Sequence, residues 1–183
     1  TTPEAPVIQH HLNEMLENGC KFAVVETSSH GLSAKLNRCG NINFDCGLFM
    51  NVTLEHLEFH KNFETYRSEK ANLFRALDKN NHVKTIAGTK ETIPSLGIVN
   101  LEDPSAEYFA QATKSKVTGF TSFGKAGRAA DENGKALELP AIPSSISEYF
   151  AISDIKSDSE SLTFTFASND KTIQAQVNSK LSG

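Results

Sequence analysis

Three groups of residues in the first half of the chain carry side chains suited to chemistry. The first is Glu26-Thr27-Ser28-Ser29-His30, which follows directly on the apolar run from Phe22 to Val25. The second is NVTLEHLEFH, in which His56 and His60 stand four apart beside Glu55 and Glu58. The third is Lys70, in YRSEKANLF. An acid closing a buried strand, next to hydroxyls and an imidazole, suits a metal or an anionic substrate at the carboxyl edge of an open α/β sheet. Glu26 also reads as an ordinary solvated acid at a strand end. His56 and His60 have helical spacing for a shared metal, yet the pattern is not H-E-x-x-H. A single histidine is more often a hydrogen-bonded structural residue, Glu55 and Glu58 also fit a solvated acidic loop, and hard Mg²⁺ prefers oxygen. Lys70 lies on the same face as Tyr66, Leu73 and Phe74. It is either a lysine snorkelling from a helix edge or one held partly dry, whose amine loses its proton more easily and becomes reactive. Thr1 and Thr2 read alone as a cap pair, and Arg38 as a loop cation.

These residues need elements to position them. Thr2 is placed to cap a helix with Pro3 at its first position and Glu4 just inside. Val7, Ile8, Leu12, Met15 and Leu16 fall on one face of that helix, and Gly19 stops it. The runs Phe22 to Val25 and Phe44 to Met50 read as strands covered on both faces, as in a parallel sheet. Asn62 to Asp78 reads as a helix with Phe63, Tyr66, Leu73, Phe74 and Leu77 inward. Leu96 to Val99 is a further strand and Pro104 to Thr113 a further helix. Alternating strands and helices over residues 1–118 predict a parallel α/β sheet flanked by helices. Residues 119–183 change character. A polar, Gly-containing stretch leads to YFAISDIK, SLTFTFAS and TIQAQVN, separated by the turn candidates SDSE and SNDK. Leu162, Phe164 and Phe166 alternate with polar residues, as do Ile173, Ala175 and Val177. This predicts a small antiparallel sheet with one wet face, from about Tyr149 to Val177.

Composition narrows the classes. The 183 residues suit one domain with a real core, and the net charge is −4 with no Lys/Arg run. This argues against nucleic-acid or membrane-surface binding driven by bulk charge. No apolar run has the length of a membrane span, and the N-terminus lacks a signal-peptide layout. The three cysteines, Cys20, Cys39 and Cys46, form no C-x-x-C, so a disulfide framework or zinc site is not expected, and a reducing cytoplasm fits best. No G-x-x-x-x-G-K-[ST] occurs; FGKAGR and NGKA lack its spacing and final hydroxyl.

The string ETSSHGL, then R-x-G-x-x-x-FD, F-x-NVT-x-EHLEFH and Y-x-x-x-K-x-x-LF, opened by TTPEA, resembles the Mur ligases. Among them it is most similar to the branch that adds the third amino acid of the peptidoglycan stem peptide. The match is strongest over residues 1–78 and continues more weakly through GIVNLEDP to the closing strands. The chain departs from the family pattern by two extra residues between SSH and Arg38. Ala34 stands where many members have Gln, and Glu55 and Glu58 stand where they have Asp.

The resemblance implies a piece of a central, ATP-binding domain of the P-loop type, residues 1–183, lacking its phosphate-loop strand and inactive alone. It implies a cytoplasmic, ATP- and Mg²⁺-dependent amide ligase acting through an acyl phosphate. The partners implied are UDP-MurNAc-L-Ala-D-Glu, an amino acid, ATP and the remaining ligase domains. It implies Glu26 and His56 as metal ligands, with Lys70 carbamylated by CO₂ as a third. Thr1, Thr2 and Ser28 would hold the UDP-sugar dipeptide, and Arg38 would pair with its anionic groups. Two other classes stand beside this one: a non-catalytic nucleotide-sugar-binding module, and a sister ligase such as one adding glutamate to folate.

Overall fold

The computed structural model describes residues 2–53, 60–79, 82–86, 88–122, 142–146, 148–158, 160–168 and 172–178. Two compact units divide the chain. One comprises Thr1–Gly47, Val52–Ser95 and Ala112–Lys114, and the other Leu48–Asn51, Leu96–Gln111 and Ser115–Gly183.

The first unit opens with α1 (Ala5–Glu17), whose N-cap is Glu4 without a side-chain cap bond. Thr2 is therefore not the cap expected of it. Its hydroxyl is used by a distant backbone segment, as described below, and Pro6 supplies the pre-set φ of the first turn. The predicted stop holds. Gly19 has φ 77°, and its N–H donates to Leu16 O at 3.0 Å while Cys20 N–H donates to Met15 O at 2.9 Å. That pairing satisfies the last carbonyls of the helix in a Schellman motif. Ile8 is buried, whereas Val7 and Leu16 are exposed.

The run from Phe22 to Val25 is not a strand. Phe22 is 90% and Val24 97% exposed, and the segment joins no ladder among the described residues. Hydrophobicity supplies no hydrogen-bond partner, and a strand needs one. The helical stretch predicted after Asn62 is present as α3 (Phe63–Lys70) and α4 (Asn72–Leu77), joined at the buried Ala71. Asn62 caps α3 by accepting from Thr65 N–H at 2.8 Å. Tyr66, Leu73, Phe74 and Leu77 form the buried face as predicted, with Phe63 only half-buried. A hairpin not foreseen, β2 (Val83–Ile86) and β3 (Thr89–Thr92), follows, and Lys84 Nζ lies 3.2 Å from Asp45 Oδ1.

The main sheet has the strand order β1-β4-β5-β6-β7-β8. Its members are β1 (Cys46–Phe49), β4 (Leu96–Asn100), β5 (Lys116–Thr121), β6 (Glu148–Ser157), β7 (Ser161–Ala167) and β8 (Thr172–Asn178). β1 and β4 match the predicted strands, and α5 (Ala106–Ala110) lies inside the predicted helix. Burial alternates along β1, with Leu48 exposed, so this strand is covered on one face only. The pairs β4–β5 and β5–β6 are parallel, whereas β6–β7 and β7–β8 are antiparallel. The expected parallel α/β sheet and the expected antiparallel strands are both present. They meet in β6, which pairs parallel on one side and antiparallel on the other. Every residue of β7 is half-buried, so the predicted alternation of a dry and a wet face does not appear in its exposure.

The core of the second unit is Phe49, Val99, Leu101, Phe109, Ala110 and Val117, with the Phe49 and Phe109 rings stacked at 3.7 Å. Gly119 is required by this packing, because a Cβ there would lie 2.8 Å from Leu101 side-chain carbons. At the SDSE turn, Asp158 accepts from Ser161 N–H at 2.7 Å and Glu160 N–H at 2.8 Å. The SNDK turn falls largely outside the described residues. The N–H groups of Glu160 and Ser161 hold the Asp158 carboxyl below its ordinary value.

Two expectations follow. Gly119→Ala overpacks the Leu101 site and lowers stability by about 1–3 kcal/mol, measured by denaturant unfolding. Asp158 has a folded pKa below its unfolded one. Its contribution is therefore complete above the usual Asp value of about 4 and is lost as pH falls through the lowered value. Protection of the Ser161 amide relative to its intrinsic exchange should fall through that acid window, and Asp158→Ala should abolish that change.

Candidate active site

Thr2, Ser28, Arg38 and the backbone of Glu26 meet at the N-terminal segment. Thr2 is buried, and its Oγ1 accepts from Ser28 N–H at 2.7 Å and donates to Glu26 O at 3.3 Å. The strandless segment before α2 (Ser29–Leu32) is thus tied down by one side chain rather than by a ladder. Arg38 Nη1 donates to Thr2 O at 2.9 Å, and Arg38 Nη2 pairs with the exposed Glu4 carboxylate. A Cβ at Gly31 would lie 2.8 Å from the Thr2 side chain, so only glycine lets Thr2 reach this position. Thr2, Glu26, Ser28 and Arg38 are thereby brought together from separate parts of the sequence. Ser28 caps α2, its Oγ accepting from Gly31 N–H at 3.2 Å. Glu26 is exposed, and its carboxylate has no hydrogen bond or ion pair among the described residues.

A second line of contacts leads from this segment to Lys70. Ser29 and His60 are both buried, and Ser29 Oγ lies 2.9 Å from His60 Nε2. The His60 ring stands 5.4 Å from that of His30 and 5.1 Å from that of Tyr66. Lys70 Nζ lies 5.4 Å from the Tyr66 ring centroid. This agrees with the structural reading of His60. Ser29 is the second serine of ETSSHGL and Tyr66 opens Y-x-x-x-K-x-x-LF, but the resemblance gives neither a site role. The available signal was that both lie in the stretches that bear the candidate site residues. Thr1 and His56 lie outside the described residues.

No group of three His, Cys, Asp or Glu residues is poised for a metal among the described residues. The chemistry of the donors present still suits a hard cation. Glu26 offers an uncommitted carboxylate, the kind of oxygen donor a hard cation takes. Cys39 is buried and free, and burial pushes its thiol up, against the opposing pull of Arg38, so it stays protonated and unreactive.

The sequence pattern of the Mur ligase middle domain matches residues 1–183. The chain belongs to the Mur ligase family. This Mur ligase domain is 54% identical over 122 residues to a UDP-N-acetylmuramyl-tripeptide synthetase of Treponema denticola, covering 67% of the chain and 21% of that relative. It is 42% identical over 112 residues to the synthetase of that name from Roseiflexus, covering 61% and 21%. It is 49% identical over 74 residues to a UDP-N-acetylmuramoyl-L-alanyl-D-glutamate--2,6-diaminopimelate ligase of Clostridioides difficile, covering 40% and 15%. The Mur ligase domain in hand thus spans about a fifth of the length of its relatives. No helix among its described residues is long and apolar enough to cross a membrane.

The Thr2 contacts have a measurable consequence. Thr2→Val leaves the Ser28 N–H without its acceptor, and the protein should lose about 1–3 kcal/mol in denaturant unfolding. Thr2→Ser keeps the hydroxyl and should lose less.

Proposed function

We propose that this chain is the substrate- and metal-binding part of a cytoplasmic, ATP-dependent amide ligase that adds the third stem-peptide amino acid to UDP-MurNAc-L-Ala-D-Glu. The observation that carries the reading is the junction of Thr2, Glu26, Ser28 and Arg38, on a chain whose relatives bear the names of tripeptide synthetases. In this reaction the substrate carboxylate takes the γ-phosphoryl group of ATP. The acyl phosphate is attacked by the incoming amine, giving an amide, ADP and phosphate. Bound Mg²⁺ would supply charge neutralisation for the phosphoryl group and carboxylate.

Each residue has a distinct part in this proposal. Ser28, with Thr1, holds the nucleotide-sugar dipeptide, and the buried Thr2 serves the same subsite by placing Ser28 and Arg38. Arg38 is the cation for its anionic groups. Its present partner Glu4 is 66% exposed on its side chain and is readily replaced by a substrate anion. Glu26, His56 and carbamylated Lys70 would hold the metal. Lys70 is half-buried over Tyr66, which limits water around its amine. Uptake of CO₂ needs the neutral amine and turns a cation into an anion that a divalent metal favours.

Lys70 supplies the test, in the intact ligase. Lys70→Ala should bind the UDP-sugar dipeptide normally and lose turnover by orders of magnitude, with partial recovery on adding a small carboxylate. Lys70→Arg should be equally impaired, because a guanidinium stays protonated and takes up no CO₂. Near-normal turnover of Lys70→Arg would end the carbamate assignment.

A further inference from the structure

The turn after α2 runs from Ser33 to Arg38, between two residues assigned above to the nucleotide-sugar dipeptide, Ser28 and Arg38. Helix α2 is a single turn and has no stability of its own. Internal bonds close the turn: Ser33 Oγ donates to His30 O at 2.8 Å, and Leu36 N–H donates to Ser33 Oγ at 3.2 Å. Two of the side chains that attach it to the helix pair carrying Lys70 are Glu69 of α3 and Asn72 of α4. Glu69 Oε2 accepts from Ala34 N–H at 3.1 Å and from Asn72 Nδ2 at 2.9 Å. The same Asn72 Nδ2 donates to Leu32 O at 2.9 Å.

Asn72 is itself oriented. Its Oδ1 accepts from Arg75 Nη1 at 2.8 Å, and that nitrogen also donates to Ser68 O at 2.8 Å. A flipped amide would turn its NH₂ toward the guanidinium and its oxygen toward a carbonyl and a carboxylate, so the network admits one orientation. Glu69, Asn72 and Arg75 recur at a spacing of three along α3 and α4, which puts them on one side of the helix pair. They grip the chain on both sides of Ser33, at the carbonyl of Leu32 and the N–H of Ala34. Glu69 is the immediate neighbour of Lys70, so the substrate turn is fastened to the backbone that carries the metal lysine.

We propose that Glu69 is a positioning residue for the nucleotide-sugar dipeptide, acting through Ala34 to place the turn that ends in Arg38. The inference rests on the substrate reading given above. It does not require Glu69 to touch substrate. Its contact is with a backbone N–H, so an acceptor at that point is what matters and a full negative charge is not.

The test uses the full-length ligase with ATP and amino acid saturating. Glu69→Ala should raise KM for the UDP-sugar dipeptide about tenfold, the effect of losing one hydrogen bond, and leave kcat within about twofold. Glu69→Gln keeps an oxygen for Ala34 N–H and should stay within about threefold of the parent in KM. Amide exchange at Ala34, read without substrate, should quicken in Glu69→Ala and not in Glu69→Gln. An unchanged KM in Glu69→Ala overturns the proposal, even if exchange at Ala34 quickens, because the tie is then structural alone. Equal impairment of Glu69→Gln and Glu69→Ala also overturns it. A parent protein with no activity on the nucleotide-sugar dipeptide refutes the substrate reading instead. Unchanged exchange at Ala34 in Glu69→Ala then separately refutes the attachment.

Discussion

The buried hydroxyl of Thr2 is the point on which the candidate site depends. One oxygen acts as acceptor for Ser28 N–H and donor to Glu26 O, and the carbonyl of the same residue receives Arg38. The segment it holds has no strand partner among the described residues, so these bonds take the place of a ladder. Burial raises the stakes, because a backbone N–H shut away from water without an acceptor is costly. Gly31 belongs to the same constraint, since any larger residue there would occupy the space of the Thr2 side chain.

Around this junction the site is built from two kinds of contact. Hydrogen bonds to backbone set the positions of Glu26, Ser28 and the turn through Ala34. Rings contribute to the surroundings of Lys70, with Tyr66 near the amine and His60 beside Tyr66. A ring face favours the ammonium form of a lysine by roughly 0.5–1 kcal/mol at a partly exposed site. Carbamate formation gives up that contact. The proposed modification therefore needs a compensating cation, which makes metal and carbamate mutually dependent rather than successive additions.

The six-stranded sheet shows how one strand joins two architectures. Parallel pairing across β4, β5 and β6 belongs to the α/β half, and the antiparallel turns belong to the closing strands. Legibility followed the range of the forces involved. Helices α1, α3 and α4 were readable because Gly19 and a 3.6-residue apolar repeat act within a few residues. The strands β1 and β4 were readable as short apolar runs. Phe22 to Val25 has the same signature and fails, because its partner is not specified by its own composition.

The sequence by itself determined the residue types at the site, their family and most of the helices and main-sheet strands, since these depend on local chemistry and on motif spacing. The family resemblance proposed roles for Glu26, Ser28, Arg38 and Lys70 without saying what holds them. Only the tertiary structure decided that Thr2 is a buried bridge rather than a helix cap, and that His60 is spent on Ser29. It also decided that Glu69 reaches Ala34 and that β6 belongs to both kinds of sheet. Each of these is a hydrogen bond or pairing between residues distant in the chain. A hydroxyl, an imidazole or a carboxylate has many possible partners, and which one it meets is settled by packing that no local pattern encodes.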